Sequence, residues 1–297
     1  MRCEQELASH SLFAQFDGPS LFLLQRNFYP MSDRDLPNKP LIEAIFELRW
    51  EMPLVQSPRE AVRGVPELRS DPNYKLLLGK LAARIEDRFP FYEALPTASV
   101  PDEMVGYVIQ HRFRSGEATW PLVQVGPGLL TYNETDKYLW ESFEIGVRNV
   151  VSDWRSSYPA KRPPQTTHTA LKYIDAVAYD YTSKSALDLL EKLKISVRFE
   201  EQLISAGNLA PQPASLLWRT SFKTSQPKGT LHLQIATATK DGEPAISWET
   251  VLESVGADAP NDDDALNAWL NQAHQTTSML FFQMIEGELH EQFRQTR

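Results

Sequence analysis

Cysteine is almost missing from this chain: Cys3 is the single one in 297 residues. One thiol cannot close an intrachain disulfide, and it cannot build a cysteine-based zinc or iron–sulfur centre. A reducing, cytoplasmic compartment is the expectation. Apolar runs long enough to cross a bilayer are missing too. Leu21-Phe-Leu-Leu24 is too short for a signal core or a membrane span, and Glu4 and Glu6 stand where a signal peptide is basic. No membrane association is expected. An excess of positive charge is also lacking: 30 Lys and Arg face 39 Asp and Glu, for a net charge of −9. General nucleic-acid binding is disfavoured on that ground, because phosphate affinity comes mainly from basic side chains. Lys161-Arg162 is the one basic pair worth naming, and it reads as part of a solvated linker.

The motifs of common chemistries are lacking as well. Histidines 10, 111, 168, 232, 274 and 290 are scattered, with no His-x-x-x-His or His-Glu-x-x-His among them, so no metal site is assigned. There is no Gly-x-Ser-x-Gly elbow. Gly126-Pro127-Gly128 lacks the Lys-Ser/Thr of a phosphate loop and the spacing of a dinucleotide fingerprint. The run Asp262–Asp264 lacks the later ligands of a calcium loop and reads as a helix-capping cluster. No catalytic residue and no cofactor is assigned.

What is present is pattern. Leu122 to Tyr132 is an apolar run interrupted by Gly-Pro-Gly, which reads as a buried strand with a bulge or sharp bend. Gly106–Arg114 is its expected antiparallel partner, and an amphipathic helix follows from about Thr135 to Trp154, capped by Thr135 or Asp136. Upstream, Pro40–Trp50 alternates Ile45, Glu47, Arg49 against Phe46, Leu48, Trp50, a strand with one wet and one buried face. Glu43 and Glu47 then share the wet face, where a cross-strand ladder pairing Glu47 with a base outweighs acid–base catalysis. A helix is expected over 72–89, and a proline-marked loop over 90–101. Pro58 and Pro66 are expected in irregular or short helical chain.

A similar order returns in the second half. Thr169–Tyr181 reads as a strand, and Ser183 as the cap of a short helix. Strands over 215–223, 231–239 and 245–252 follow, the last two joined by an Asp241-Gly242 hairpin turn. A last helix opens at Asp262 and runs towards Phe293, a span on the order of 45 Å at about 1.5 Å per residue. The architecture expected is α+β: two similar antiparallel-sheet halves, each covered by a long C-terminal helix, an internal duplication. The boundaries are a disordered or loosely attached tail over 1–37, with Met31 as a plausible initiator, a first half over 38–157, a proline-rich linker over 158–167 and a second half over 168–297.

Lys39-Pro-Leu-Ile-Glu-Ala-Ile-Phe-Glu-Leu-Arg49, Val123-Gln-Val-Gly-Pro-Gly-Leu-Leu-Thr-Tyr-Asn133, Leu139-Trp-Glu-Ser-Phe143 and Leu171-Lys-Tyr-Ile-Asp175 carry a resemblance. From about Lys39 onward the chain resembles a family of conserved hypothetical bacterial proteins of sporadic distribution and no established activity. Where that family shows Arg-Tyr-x-Asn, this chain has Lys172-Tyr-Ile-Asp175. Sporadic occurrence implies a mobile or defence-type locus.

Aromatic residues supply the remaining candidates. Trp50, Tyr107, Trp120, Tyr132, Tyr138 and Trp140 are expected near one sheet edge and one helix start, as core or as the lining of a ligand groove or partner surface. The functional expectation is a non-enzymatic interaction or accessory protein with a protein partner. Its alternative is a small-molecule-binding protein or enzyme with a pocket between sheet and long helix.

Overall fold

The computed structural model describes residues 36–54, 69–135 and 137–295. The tail over 1–30, Met31, Pro58, Pro66 and the candidate cap Asp136 lie outside these residues. The expected alternation appears first in β1 (Leu41–Trp50), where Ala44, Phe46, Leu48 and Trp50 are buried and Glu43, Ile45, Glu47 and Arg49 are partly exposed. This two-residue period sets the plan of the molecule, because pairing in register aligns the faces of neighbouring strands; in β5 both faces are buried from Leu129 to Asn133, the polar one at Thr131 and Asn133.

Helix α1 (Tyr74–Ile85) presents Tyr74, Leu77, Leu81 and Ile85 to the core. The chain then forms a four-residue strand, β2 (Phe91–Ala94), where the prolines had pointed to a loop. Strand β3 (His111–Arg114) is shorter than expected. Gly106 and Tyr107 turn the chain, and Tyr107 holds φ at 62°, which no strand accommodates. Strands β4 (Leu122–Gly126) and β5 (Leu129–Glu134) are antiparallel neighbours with Gly126 opposite Leu129. Gly-Pro-Gly is therefore a complete reversal. Proline in the turn's first central position and Gly128 at φ 76° in the second give it the dihedral signature of a type II turn.

Helix α2 (Trp140–Ser157) buries Phe143, Val147, Val150, Val151 and Trp154. It starts later than the sequence indicates: Leu139 occupies the N-cap, and the Thr135 carbonyl accepts from the Tyr138 N–H in a preceding turn. Strand β6 (Thr166–Ala178) follows, beginning inside the stretch read as linker. In α3 (Ala186–Lys192) the cap is Ser185, which accepts from the Leu187 N–H. Ser183 instead donates to the Asp180 carboxylate at 2.5 Å. A short helix α4 (Glu201–Ala206) leads to β7 (Leu217–Ser225), β8 (Lys228–Lys240) and β9 (Glu243–Val255). The β8–β9 reversal uses Asp241 and Gly242, both at positive φ, as its residues require. Asp262 caps α5 (Asp263–Ile285) by accepting from the Ala265 N–H. The single run to Phe293 is not formed: the chain breaks at Glu286–Gly287, and α6 (Glu288–Arg294) continues from there.

The nine strands among the described residues form one antiparallel sheet, in the order β2-β3-β4-β5-β1-β6-β9-β8-β7. The expectation of two sheets gives way because β1 pairs with β6, Phe46 opposite Leu171 and Glu47 opposite Ala170. Helices α1, α2 and α5 share a core with the dry face, where Phe46 meets Trp269 and Trp50 meets Trp154, with ring centroids 6.5 and 5.1 Å apart. No helix among the described residues is long and apolar enough to cross a membrane.

The close approach at the β4–β5 reversal is testable. A Cβ on Gly126 would lie 1.9 Å from the Val108 carbonyl oxygen, whereas one on Gly79 in α1 meets nothing within 4 Å. Gly126→Ala is expected to destabilise by about 1–3 kcal/mol or more, and Gly79→Ala to stabilise by about 0.5–1 kcal/mol. Urea unfolding of the two variants reads both signs.

Candidate functional site

The wet face of the sheet carries the chemistry. Its register sets side chains in rows running across the strands. One row joins Arg112 on β3, Gln124 on β4, Thr131 on β5 and Glu47 on β1, continuing to Ala170 on β6 and Glu253 on β9. The next joins Arg114, Leu122, Asn133, Ile45 and Lys172, continuing to Val251, His232 and Ser221. Each row is assembled from segments far apart in the chain.

Over β3, β4, β5, β1 and β6 the rows line a groove of about 390 Å³. Trp120 and Ile109 stand at its margin on the segments preceding β4 and β3. Within it, Asn133 donates to Glu43 at 2.8 Å and accepts from Thr131 at 2.7 Å. Arg112 donates to Glu93 at 3.2 Å, and Arg114 lies 3.8 Å from the same carboxylate while its guanidinium stacks 5.3 Å from the Trp120 ring centroid. Two guanidinium groups thus share one carboxylate. The Nε–H of Arg112 is buried and unpartnered. Gln124, only 8% exposed on the floor, makes no side-chain hydrogen bond among the described residues. Lys172 meets Glu249 at 3.3 Å.

Beyond the groove, towards β7, a hydrogen-bonded chain crosses the same face. Ser221 Oγ and His232 Nδ1 are 2.7 Å apart, and His232 Nε2 lies 3.0 Å from Glu253 Oε1. His168 Nε2 meets the other Glu253 oxygen at 2.9 Å, and its Nδ1 faces Glu47 at 3.5 Å. Glu47 pairs in turn with Arg49 at 2.7 Å. Burial raises the Glu253 pKa, but the hydrogen bonds and charges of the two histidines outweigh it and hold the carboxyl below its ordinary value. The ladder expected for Glu47 is present, with Arg49 and His168 as its basic partners. Histidines that looked scattered in the sequence converge here. The only sequence signal for this was the two-residue period of each strand, which cannot say which strands become neighbours.

A second, smaller space lies between sheet and α5, about 40 Å³, lined by Tyr138, Tyr173, Asp175 and His274 among others. It has room for a few water molecules, well short of the ~300–1,000 Å³ of ligand pockets. Tyr138 and Tyr173 hydroxyls are 2.8 Å apart, and Tyr173 Oη lies 3.0 Å from His274 Nδ1. The His274 ring stacks on Trp140 with centroids 3.8 Å apart. Burial lowers the His274 pKa to about 4.

The six aromatic candidates are not one cluster. Trp50 is in the dry core, donating to Asp71 at 2.9 Å. Tyr132 and Tyr138 are buried against Phe143, and Trp140 covers His274. Tyr107 lies near the β4–β5 reversal, its ring 5.5 Å from the Arg49 guanidinium. Trp120 alone belongs to the groove. Among the described residues no group of His, Cys, Asp and Glu is arranged to hold a metal ion. No protein-family model matches the chain, and no curated protein matches it.

His274 makes stability depend on pH. Its folded pKa lies below the ordinary histidine value, so the unfolded chain binds the proton first as pH falls. Stability is full above about 6.5 and is lost down to about 4, by up to about 3 kcal/mol. His274→Phe, which keeps a ring on Trp140, is expected to flatten the difference in urea midpoint between pH 7 and pH 4.5. An unchanged slope would contradict the assignment.

Proposed function

We propose that this chain is a non-enzymatic interaction protein whose recognition surface is the open, polar face of its sheet. One observation carries the reading: among the described residues, helices α1, α2 and α5 pack on one face, while the other presents rows of charged and amide side chains and a groove. Secreted cores and metal sites need no such face; recognition does, because specific contacts come from polar groups placed by a rigid scaffold. The small space under α5 supports the alternative of a sheet–helix ligand pocket poorly, given its volume.

Internal duplication belongs to the same proposal. Outward from the centre the strands run β1-β5-β4-β3 on one side and β6-β9-β8-β7 on the other. Each half follows the order strand, helix, meander, helix, with β2, α4 and α6 as additions. That order supports two related halves meeting antiparallel at β1 and β6. The accessory role at a mobile or defence-type locus is proposed with it, on the motifs that resemble the bacterial family.

A second reading is favoured by Ser221, His232 and Glu253, whose hydrogen-bond order is that of a nucleophile, base and acid. Such a site also needs donors for an oxyanion, and the cross-strand geometry of Ser221 and His232 accounts for their contact without catalysis. Labelling of Ser221 by a fluorophosphonate, abolished in Ser221→Ala, would move the conclusion to an acyl-transfer enzyme.

The interaction reading is tested with a photo-crosslinking amino acid in cells carrying the native locus. Placed at Arg219 or Gln234 on the open face, it is expected to capture one discrete partner; at Lys80 in α1 or Gln272 in α5 it is expected to capture none. Crosslinks from the helical side alone would contradict the proposal.

A further inference from the structure

We infer that the groove over β3, β4, β5, β1 and β6 binds a small organic anion carrying a planar, hydrogen-bonding ring, the chemistry embodied by nucleoside monophosphates. This rests on reading the open face as the recognition surface and names what one part of it takes. The groove's volume, about 390 Å³, falls within the ~300–1,000 Å³ range of ligand pockets.

Charge comes first. Among the described residues Arg112 and Arg114 share one carboxylate, the half-exposed Glu93, and Arg114 also donates to the Thr119 carbonyl at 3.2 Å. Both side chains line the groove and stay partly exposed, so an incoming phosphate or carboxylate oxygen accepts from their solvent-facing N–H groups. Two guanidinium groups are well suited to such an anion.

The ring is recognised by two further groups. Gln124 is more than nine-tenths buried, lines the groove and leaves its amide unpartnered among the described residues. An amide presents one acceptor and two donors in a plane, the pattern that reads the edge of a nucleobase or similar heterocycle. Trp120, 39% exposed at the margin, offers a ring face for stacking.

The carboxylates do not exclude the anion. Glu43 and Glu47 lie on β1, separated from β3 by β4 and β5. Glu43 accepts from Asn133, and Glu47 is held by Arg49 with His168 nearby. Both retain acceptor capacity, and a carboxylate beside a nucleoside site can receive sugar hydroxyls. Cation, amide and carboxylate are thereby ordered across the groove on β3, β4 and β1, with the aromatic face at the margin beside Arg114.

Calorimetric titration of the full chain with AMP, GMP, CMP and UMP, and with inorganic phosphate and adenosine as half-ligands, tests the inference. At least one monophosphate is expected to bind with a sub-millimolar Kd, about tenfold or more tighter than inorganic phosphate. Arg112→Gln and Gln124→Leu should each weaken it by about tenfold or more, the size of a lost charge-assisted or buried hydrogen bond. Gln272→Ala, on α5 across the sheet from the groove, should leave the Kd unchanged. Thermal melts establish that each variant is folded, and Arg112→Gln decides the matter if Gln124→Leu unfolds. No binding at millimolar monophosphate, affinity equal to that of phosphate, or undiminished binding by folded variants would overturn the inference. Partner crosslinks at Arg219 that persist alongside such a failure would retain the interaction proposal and remove only the anion site.

Discussion

The antiparallel pairing of β1 with β6 is the interaction on which the rest depends. It seats Phe46 opposite Leu171 and Leu48 opposite Thr169 on the dry side, and Glu47 opposite Ala170 and Arg49 opposite His168 on the wet side. A slip of one residue would exchange the two faces, carrying Glu47 and His168 into the core and Phe46 into water. Burying an apolar side chain of this size contributes roughly 1.5–3 kcal/mol, so the register is strongly specified. The seam makes one sheet out of two meanders, and in doing so it gives α2 and α5 a common floor, with Trp269 of α5 against Phe46 of β1.

The same seam composes the open face. Its groove needs β3 and β4 on one side and Lys172 of β6 on the other, and the hydrogen-bonded chain needs Glu47 of β1 beside His168 of β6. Neither arrangement is completed within one half: Ala170 and Lys172 close the groove from β6, and Glu47 extends the histidine chain from β1. Ala170 stands opposite both Glu47 and Glu253, so the two carboxylates flank a methyl group in the row between the groove and the histidine cluster.

Elements governed by local pattern were legible in the sequence. The alternation of β1, the Asp241-Gly242 hairpin and the Asp262 cap each depend on a few neighbouring residues. Elements set by competing local bonds were misplaced: Ser183 is drawn to Asp180 and leaves the cap to Ser185, and a turn from Thr135 shifts the start of α2. Strand β2 was hidden by its flanking prolines, and the length of β3 by the left-handed backbone of Tyr107. The single sheet was not legible, because β1 and β6 are distant in sequence and nothing in either names the other. The site followed the fold. Arg112, Gln124 and Lys172 were unremarkable in their own strands, and so were His168, His232 and Glu253, until strand order made them neighbours. The six aromatic residues went the other way: expected together, they are divided among the dry core, the β4–β5 reversal and the groove margin.

Native-state hydrogen exchange tests the central claim most directly, namely that one continuous sheet joined at β1 and β6 presents the open face. The amides of Phe46, Leu48, Leu171 and Tyr173 are expected to exchange last and together, at the free energy of global unfolding, with those of β5 and β9 close behind. If the β1–β5 and β6–β9 amides instead open at separate free energies, with the β1–β6 amides exposed in either event, the halves are independent and the account fails.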